Sequence, residues 1–202
     1  MFTLKDKEQY QRDGYIVAEN VLAETLASDL QNEASQITSQ TEFDEQLFVN
    51  DIYCGNDWMH SLPSHPAFER LFKLPALLDG IAHLMGAPCE LVLWYLHQNP
   101  PQVGAAMWHQ DLETLPSGAK VCVTLSIHDT EDKKDHLRVL PGSFSRAEPT
   151  EEQLYENFAD EVALRISNRT AIIHDPVLWH ATKVNNSSDN ELSLFLFYKM
   201  AD

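Results

Sequence analysis

Positive charge is scarce in this chain. Of 202 residues only 14 are Lys or Arg, against 31 Asp or Glu, so the formal net charge is -17 and the pI is about 4.7. A surface of that sign repels polyanions, which argues against nucleic acid and anionic membrane as partners. Cysteine is also rare. Cys54, Cys89 and Cys122 are far apart and form no CxxC pair, which excludes a disulfide scaffold or a zinc ribbon and fits a reducing, cytoplasmic setting. The first residues lack an apolar signal core, and no run of 18 apolar residues occurs, so neither a secretory leader nor a membrane span is expected. There is no Gly-rich phosphate loop, no serine-nucleophile motif, no basic helix, no internal repeat and no low-complexity segment.

What the chain does have is core material. Hydrophobic residues make up 44% of it, enough for one sizeable domain spanning residues 1–202. Thr3 and Gly14 can cap a first helix, and Tyr15 to Ala18 reads as a strand. Leu22, Leu26, Leu30 and Ala34 recur at four-residue steps, predicting a helix over 22–37. Further helices are expected over 67–72 and 75–85, with Pro75 at the start and Gly86 at the end. From Glu90 onward short strands dominate, over 91–96, 105–111, 120–127, 137–140, 171–173, 177–183 and 192–198, with one surface helix over 151–158. Helices first and strands afterwards is not the alternation of a parallel α/β sheet. The order predicts an α+β, mainly β fold: an antiparallel double sheet of jelly-roll type buttressed by N-terminal helices. The stretch 39–66 has little periodicity. It is equally a covering layer or a functional lid, with Tyr53 and Trp58 as its candidates for contact with a ligand.

The strongest chemical signal is Met107-Trp108-His109-Gln110-Asp111. On a strand His109 and Asp111 point to the same face. With a second imidazole from another strand, His180 being the candidate, they make two histidines and one carboxylate on one face of a metal, the arrangement that leaves open positions on Fe(II). Nine histidines and 31 acidic residues also generate a His-x-Asp by chance, so the rest of the chain has to decide.

The order of the remaining motifs does so. Asp13-Gly14-Tyr15-Ile16-Val17, Trp108-His109-Gln110-Asp111, Leu125 to Thr130, Leu137-Arg138-Val139-Leu140-Pro141-Gly142-Ser143, His174-Asp175-Pro176-Val177-Leu178-Trp179-His180 and Asn185 to Asn190 look like motifs of the phytanoyl-CoA dioxygenase family, in the same order. The chain resembles that family of non-haem iron oxygenases over nearly its whole length. The resemblance implies a double-stranded β-helix, cupin-like, in which His109, Asp111 and His180 hold Fe(II), 2-oxoglutarate chelates the metal, and O2 is the co-substrate that oxidises a small-molecule substrate. Asp111 favours hydroxylation, desaturation or ring formation over halogenation, because halogenating relatives lack the carboxylate. No oligomeric state is implied.

One departure is informative. The family carries an arginine eleven residues after the distal histidine, where its planar guanidinium grips the far carboxylate of 2-oxoglutarate. Here that residue is Glu191. Arg138, Lys183 and Lys199 are the candidate replacements, Arg138 foremost, and Thr182 matches a place that often supplies a hydroxyl to the same carboxylate. Glu113 and Asn185 are candidates to orient the ligands, and His97 and His128 to border the pocket. Two other readings stay open: an iron enzyme on this scaffold that does not use 2-oxoglutarate, and a non-catalytic binding domain with a relic metal site.

Overall fold

The computed structural model describes residues 2–40, 48–49, 52–53, 66–99, 101–102, 107–111, 118–127, 135–165, 167–182 and 184–201. Its first helix, α1 (Leu4–Asp13), is closed at both ends by local chemistry. Thr3 and Asp6 form a reciprocal capping box, and Gly14, at φ 83°, terminates the helix in the left-handed conformation that costs glycine little. The chain then enters β1 (Tyr15–Ala18), followed by α2 (Glu24–Gln40), the short pair β2 (Phe48–Val49) and β3 (Ile52–Tyr53), α3 (Pro66–Phe72) and α4 (Pro75–Met85). Pro75 opens α4 and Gly86 closes it, as the sequence predicts. The lid expectation for 39–66, Trp58 included, lies almost wholly outside the described residues.

Seven strands follow: β4 (Cys89–Asn99), β5 (Val121–Ser126), β6 (Asp135–Val139), β7 (Val162–Arg165), β8 (Ala171–His174), β9 (His180–Thr182) and β10 (Glu191–Met200). With β1 they form two antiparallel sheets, one in the order β1-β8-β5-β10-β4 and one in the order β7-β6-β9. The α+β class and the antiparallel pairing agree with the sequence reading.

Strand alternation gives the large sheet two faces. Val121, Val123 and Leu125, with Ala171, Ile173, Leu192, Leu194 and Leu196, pack with Leu22, Leu26, Leu30, Phe68 and Ile81 of the helical layer. The opposite face sends Tyr15 and Ile172 against Leu137, Val139 and Leu164 of the small sheet. Behind the small sheet lies a third layer, in which Trp108, Trp179, Leu140 and Ala181 meet Leu154 and Phe158.

The structure departs from the sequence reading at four places. Strand β7 has no clear pattern in the sequence. The helix expected over 151–158 is a single 3-10 turn, Gln153–Tyr155. The carbonyls of Leu154 and Glu156 accept from the backbone and indole N–H of Trp108, at 3.0 and 2.9 Å, and so are withdrawn from a helical ladder. The strand expected over 177–183 starts only at His180. Before it, Asp175 turns the chain by accepting from the N–H of Val177 at 3.0 Å on its carboxylate and from the N–H of Leu178 at 2.9 Å on its carbonyl. Of the strand expected over 105–111, the described residues 107–111 show one bridge, His109 to His180.

Candidate metal centre

That bridge builds the site. His109 N–H donates to the carbonyl of His180 at 3.0 Å and His180 N–H to the carbonyl of His109 at 3.1 Å. Two Trp-His dipeptides thus lie antiparallel, side by side. Trp108 and Trp179 turn outward into the third layer, and alternation turns His109 and His180 inward. Their ring centroids are 4.2 Å apart. Asp111 follows, held by its own N–H donating to the carbonyl of Pro176 at 2.9 Å. Gln110 donates its side-chain amide to the carbonyl of Val177, which fastens the same two segments a second time.

The three side chains converge. Asp111 Oδ1 is 3.7 Å from His109 Nε2 and 3.6 Å from His180 Nε2, and one ligand atom from each residue lies within 4.8 Å of the others. Both histidines are set in one tautomer. His109 Nδ1 faces the carbonyl of Met107 at 2.8 Å, and His180 Nδ1 that of Leu178 at 2.9 Å. A carbonyl only accepts, so each Nδ1 carries a proton, and in the neutral ring each Nε2 is the atom that can give its lone pair to a metal. This is the donor set and second-sphere arrangement that suit a divalent metal with open positions.

The electrostatics of the metal-free site are those of three groups competing for one counter-charge. Burial, with the nearby His180 charge, lowers His109 to about 4. Burial also opposes charging of His180, but the Asp111 carboxylate outweighs it and raises that group above its usual value. Asp111 feels burial pushing it up, yet the charge and hydrogen bond of His180, with His174 and His109 beyond, hold it far below the usual carboxylate range. The carboxylate is therefore ionised and ready for a cation across the physiological range.

His180 and Asp111 were legible as partners in the sequence, but His174 was not singled out. It is fully buried, with its ring centroid 4.6 Å from that of His180, and burial followed by the His180 charge lowers it to about 3. Its signal in the sequence is its place at the head of the segment that ends in His180, six residues before that ligand.

Arg138 requires a correction. Its neighbour Val139 pairs with His180, and Arg138 itself pairs with Ala181, so it faces the outer layer. Its guanidinium lies 4.8 Å above the Trp108 ring and donates to Asn157 at 2.8 Å and Glu161 at 3.3 Å. It is buried on the wrong side of the small sheet to meet a molecule at the triad. Lys199 is no replacement either, since it pairs with Glu90 at 2.7 Å. Lys183, Glu113 and His128 lie outside the described residues. Asn185 does not orient a histidine: it donates to the carbonyls of Asn99 and Asp189 at 2.8 and 2.7 Å and accepts from Ser187, stapling the turn before β10. Thr182 shares the inward face of β9 with His180. Glu191 opens β10 opposite Asn99, on the same strand face as Ser193 and Phe195. That face also carries Tyr95 of β4, stacked on Phe195 at 4.9 Å, and His97, edge-on to the same ring at 6.1 Å.

Comparison with known proteins is consistent with this geometry. A family model described as Phytanoyl-CoA dioxygenase (PhyH) matches residues 10–191. No curated protein matches the sequence. Among solved structures, the epimerase SnoN from nogalamycin biosynthesis, in complex with Fe3+, alpha ketoglutarate and nogalamycin RO, superposes with a TM-score of 0.76 at 18% identity, over 98% of this chain and 83% of its own. EctD from S. alaskensis, with 2-oxoglutarate and 5-hydroxyectoine, gives 0.75 at 20% identity over 98% and 76%. AviO1 from Streptomyces viridochromogenes Tue57 gives 0.70 at 21% identity over 98% and 96%.

Proposed function

This chain belongs to the phytanoyl-CoA dioxygenase family, and on that premise we propose that it is an Fe(II)- and 2-oxoglutarate-dependent oxygenase that hydroxylates a small organic molecule. The two sheets are then the halves of a double-stranded β-helix, and residues 1–202 form one catalytic domain. His109, Asp111 and His180 hold the iron. The observation that carries this reading is the convergence of two tautomer-fixed Nε2 atoms on Asp111 Oδ1, at 3.7 and 3.6 Å. Iron, 2-oxoglutarate and O2 supply the oxidising chemistry when bound.

The protein's own contribution is placement. The bridge between His109 and His180 fixes two ligands relative to each other, and the anchor of Asp111 on Pro176 fixes the third, so little reorganisation accompanies binding. Thr182 lies two residues beyond His180 on the same face and offers a hydroxyl to the co-substrate. The aromatic ledge of Tyr95 and Phe195 gives an organic substrate an apolar surface to rest on. No helix among the described residues is long and apolar enough to cross a membrane.

The test begins without a substrate. Anaerobic protein receives Fe(II) and then 2-oxoglutarate, and the metal-to-ligand charge-transfer absorption is recorded. Air is then admitted and succinate is measured. A band that appears with both additions, and is lost in Asp111→Ala, is expected. Absence of the band at millimolar 2-oxoglutarate refutes the co-substrate, and failure of Fe(II) to bind refutes the whole reading.

A second reading is favoured by one specific observation. Glu191 stands where the family's arginine would be, and Arg138 faces away from the triad. An iron enzyme that draws its electrons from the substrate needs no such cation. Substrate-dependent oxygen consumption indifferent to 2-oxoglutarate distinguishes it.

A further inference from the structure

Asp111 has a second set of neighbours. One ligand atom each from Asp111, Cys122 and His174 also lies within 4.8 Å of the others. Cys122 on β5 and His174 on β8 are directly paired across the large sheet. Both are fully buried, and both lie on the face away from the helices, since their neighbours Val121, Val123 and Ile173 fill the helical core. His174 Nδ1 is engaged with the carbonyl of Asp175 at 3.2 Å, which leaves its Nε2 with the lone pair. That atom is buried and has no hydrogen-bond partner among the described residues. Buried polar atoms are rarely left so, and one standing in a cluster with a thiol and a carboxylate is matched to a ligand that accepts electron pairs.

We propose that Asp111, Cys122 and His174 form a second cation site, specific for a thiophilic divalent ion such as Zn2+ or Cd2+, and occupied in place of the ion held by His109, Asp111 and His180. The donor chemistry sets the preference. Sulfur with one nitrogen and one carboxylate oxygen is a ligand set for zinc and its softer relatives, whereas two imidazoles and a carboxylate without sulfur suit Fe(II). Binding exchanges the Cys122 S–H bond for a metal–sulfur bond and releases the proton to solvent, with no change of oxidation state. Exclusivity follows from Asp111. Two dications bridged by one carboxylate stand only about 4 Å apart, and with Cys122 as the only other anionic donor of the two clusters among the described residues their repulsion is uncompensated. A zinc-type ion here therefore takes the carboxylate from the iron site, and His109 and His180 alone do not hold iron beside it. The site draws on Asp111 of the centre proposed above, but not on 2-oxoglutarate or turnover.

The test uses the metal-free full chain and Cd2+ as the probe, read by thiolate-to-metal absorption in the ultraviolet and by 113Cd NMR. One Cd2+ per chain with one thiolate ligand is expected. Cys122→Ser should abolish the thiolate band and weaken Cd2+ binding at least about tenfold, since loss of outer-sphere partners alone costs that much. His109→Ala should retain the band. Adding Fe(II) anaerobically to the Cd2+-loaded protein should reduce the band in proportion to iron bound. The proposal is overturned if the wild-type 113Cd resonance has no sulfur ligand, if the band survives in Cys122→Ser, if His109→Ala abolishes it, or if Fe(II) and Cd2+ bind together with the band intact. The wild-type resonance decides the question even where a variant fails to fold. Fe(II) binding to Cd2+-free Cys122→Ser reports on the iron site separately, so either reading can fail alone.

Discussion

Replacing Arg138 by methionine separates two roles that the sequence alone leaves mixed. The structure makes Arg138 a strut of the outer layer. Its two charge-assisted hydrogen bonds, to Asn157 and Glu161, contribute about 1.5–3 kcal/mol each. Its position over Trp108 adds about 1–2 kcal/mol. Against this, its Nε has no partner among the described residues, and removing a buried unsatisfied N–H returns about 1–3 kcal/mol. The net loss for Arg138→Met is then about 4 kcal/mol, in line with breaking a buried pair from one side. For a chain of this length that corresponds to a fall in Tm of about 8–16 °C. Much of the cost comes from the stranded Glu161 carboxylate, so the double variant Arg138→Met/Glu161→Gln should recover part of the stability. The assay is equilibrium denaturation of both variants, paired with titration of 2-oxoglutarate into the anaerobic Fe(II) protein. Unchanged affinity for 2-oxoglutarate in the single variant is expected. A variant as stable as wild type that has lost affinity by about a hundredfold, about 2.7 kcal/mol, would refute the reasoning and return Arg138 to the pocket.

Two further outcomes follow from groups around the triad. His174 is lowered to about 3 by burial, while the unfolded chain titrates it near 6.5. Between those values the unfolded state binds the proton and the folded state does not, so stability is lost as pH falls below 6.5 and is unaffected above it. At pH 5 the metal-free wild type should have lost about 2 kcal/mol more than His174→Phe, measured by urea denaturation at pH 7 and pH 5; equal losses would contradict the assignment. Gly14 and Gly86 both close helices at positive φ, yet a Cβ at Gly14 would lie 2.7 Å from Leu178 Cδ1 and from Phe144 Cζ, whereas at Gly86 the nearest atom is Lys7 Nζ at 3.5 Å. Gly86→Ala should cost about 1 kcal/mol from backbone strain alone, and Gly14→Ala about 2–4 kcal/mol from strain and overpacking together, both read by thermal denaturation.

The triad was legible because His109, Asp111 and His180 are embedded in ordered motifs that cover the chain. The helix ends were legible for a local reason: Thr3, Gly14, Pro75 and Gly86 act through their own backbone. The facing of Arg138 was not, because it depends on the register of β6 against β9, and a register shift of one residue exchanges inside for outside. The same holds for Cys122 and His174, which are 52 residues apart and meet only through the pairing of β5 with β8. Strand β7 escaped because Val162-Ala163-Leu164-Arg165 is short and has only Leu164 buried. The stretch 151–158 reads as helix in sequence because Trp108, whose backbone N–H and indole take the carbonyls of Leu154 and Glu156, comes from a distant part of the chain, 48 residues before Glu156.

The antiparallel pair of Trp-His dipeptides makes the wall behind the metal one strand pair thick. Any change of volume on its outer side, at Leu154, Phe158 or Arg138, is transmitted through an indole directly to the imidazole next to it in the chain. The two imidazoles are laced to each other, and Asp111 hangs from Pro176 on the segment that leads into His180. Distortion from behind therefore bears first on the histidines and reaches the carboxylate through that segment. The outer layer is in this sense a tuning surface: residues that never touch a ligand set how tightly the third donor closes the coordination face.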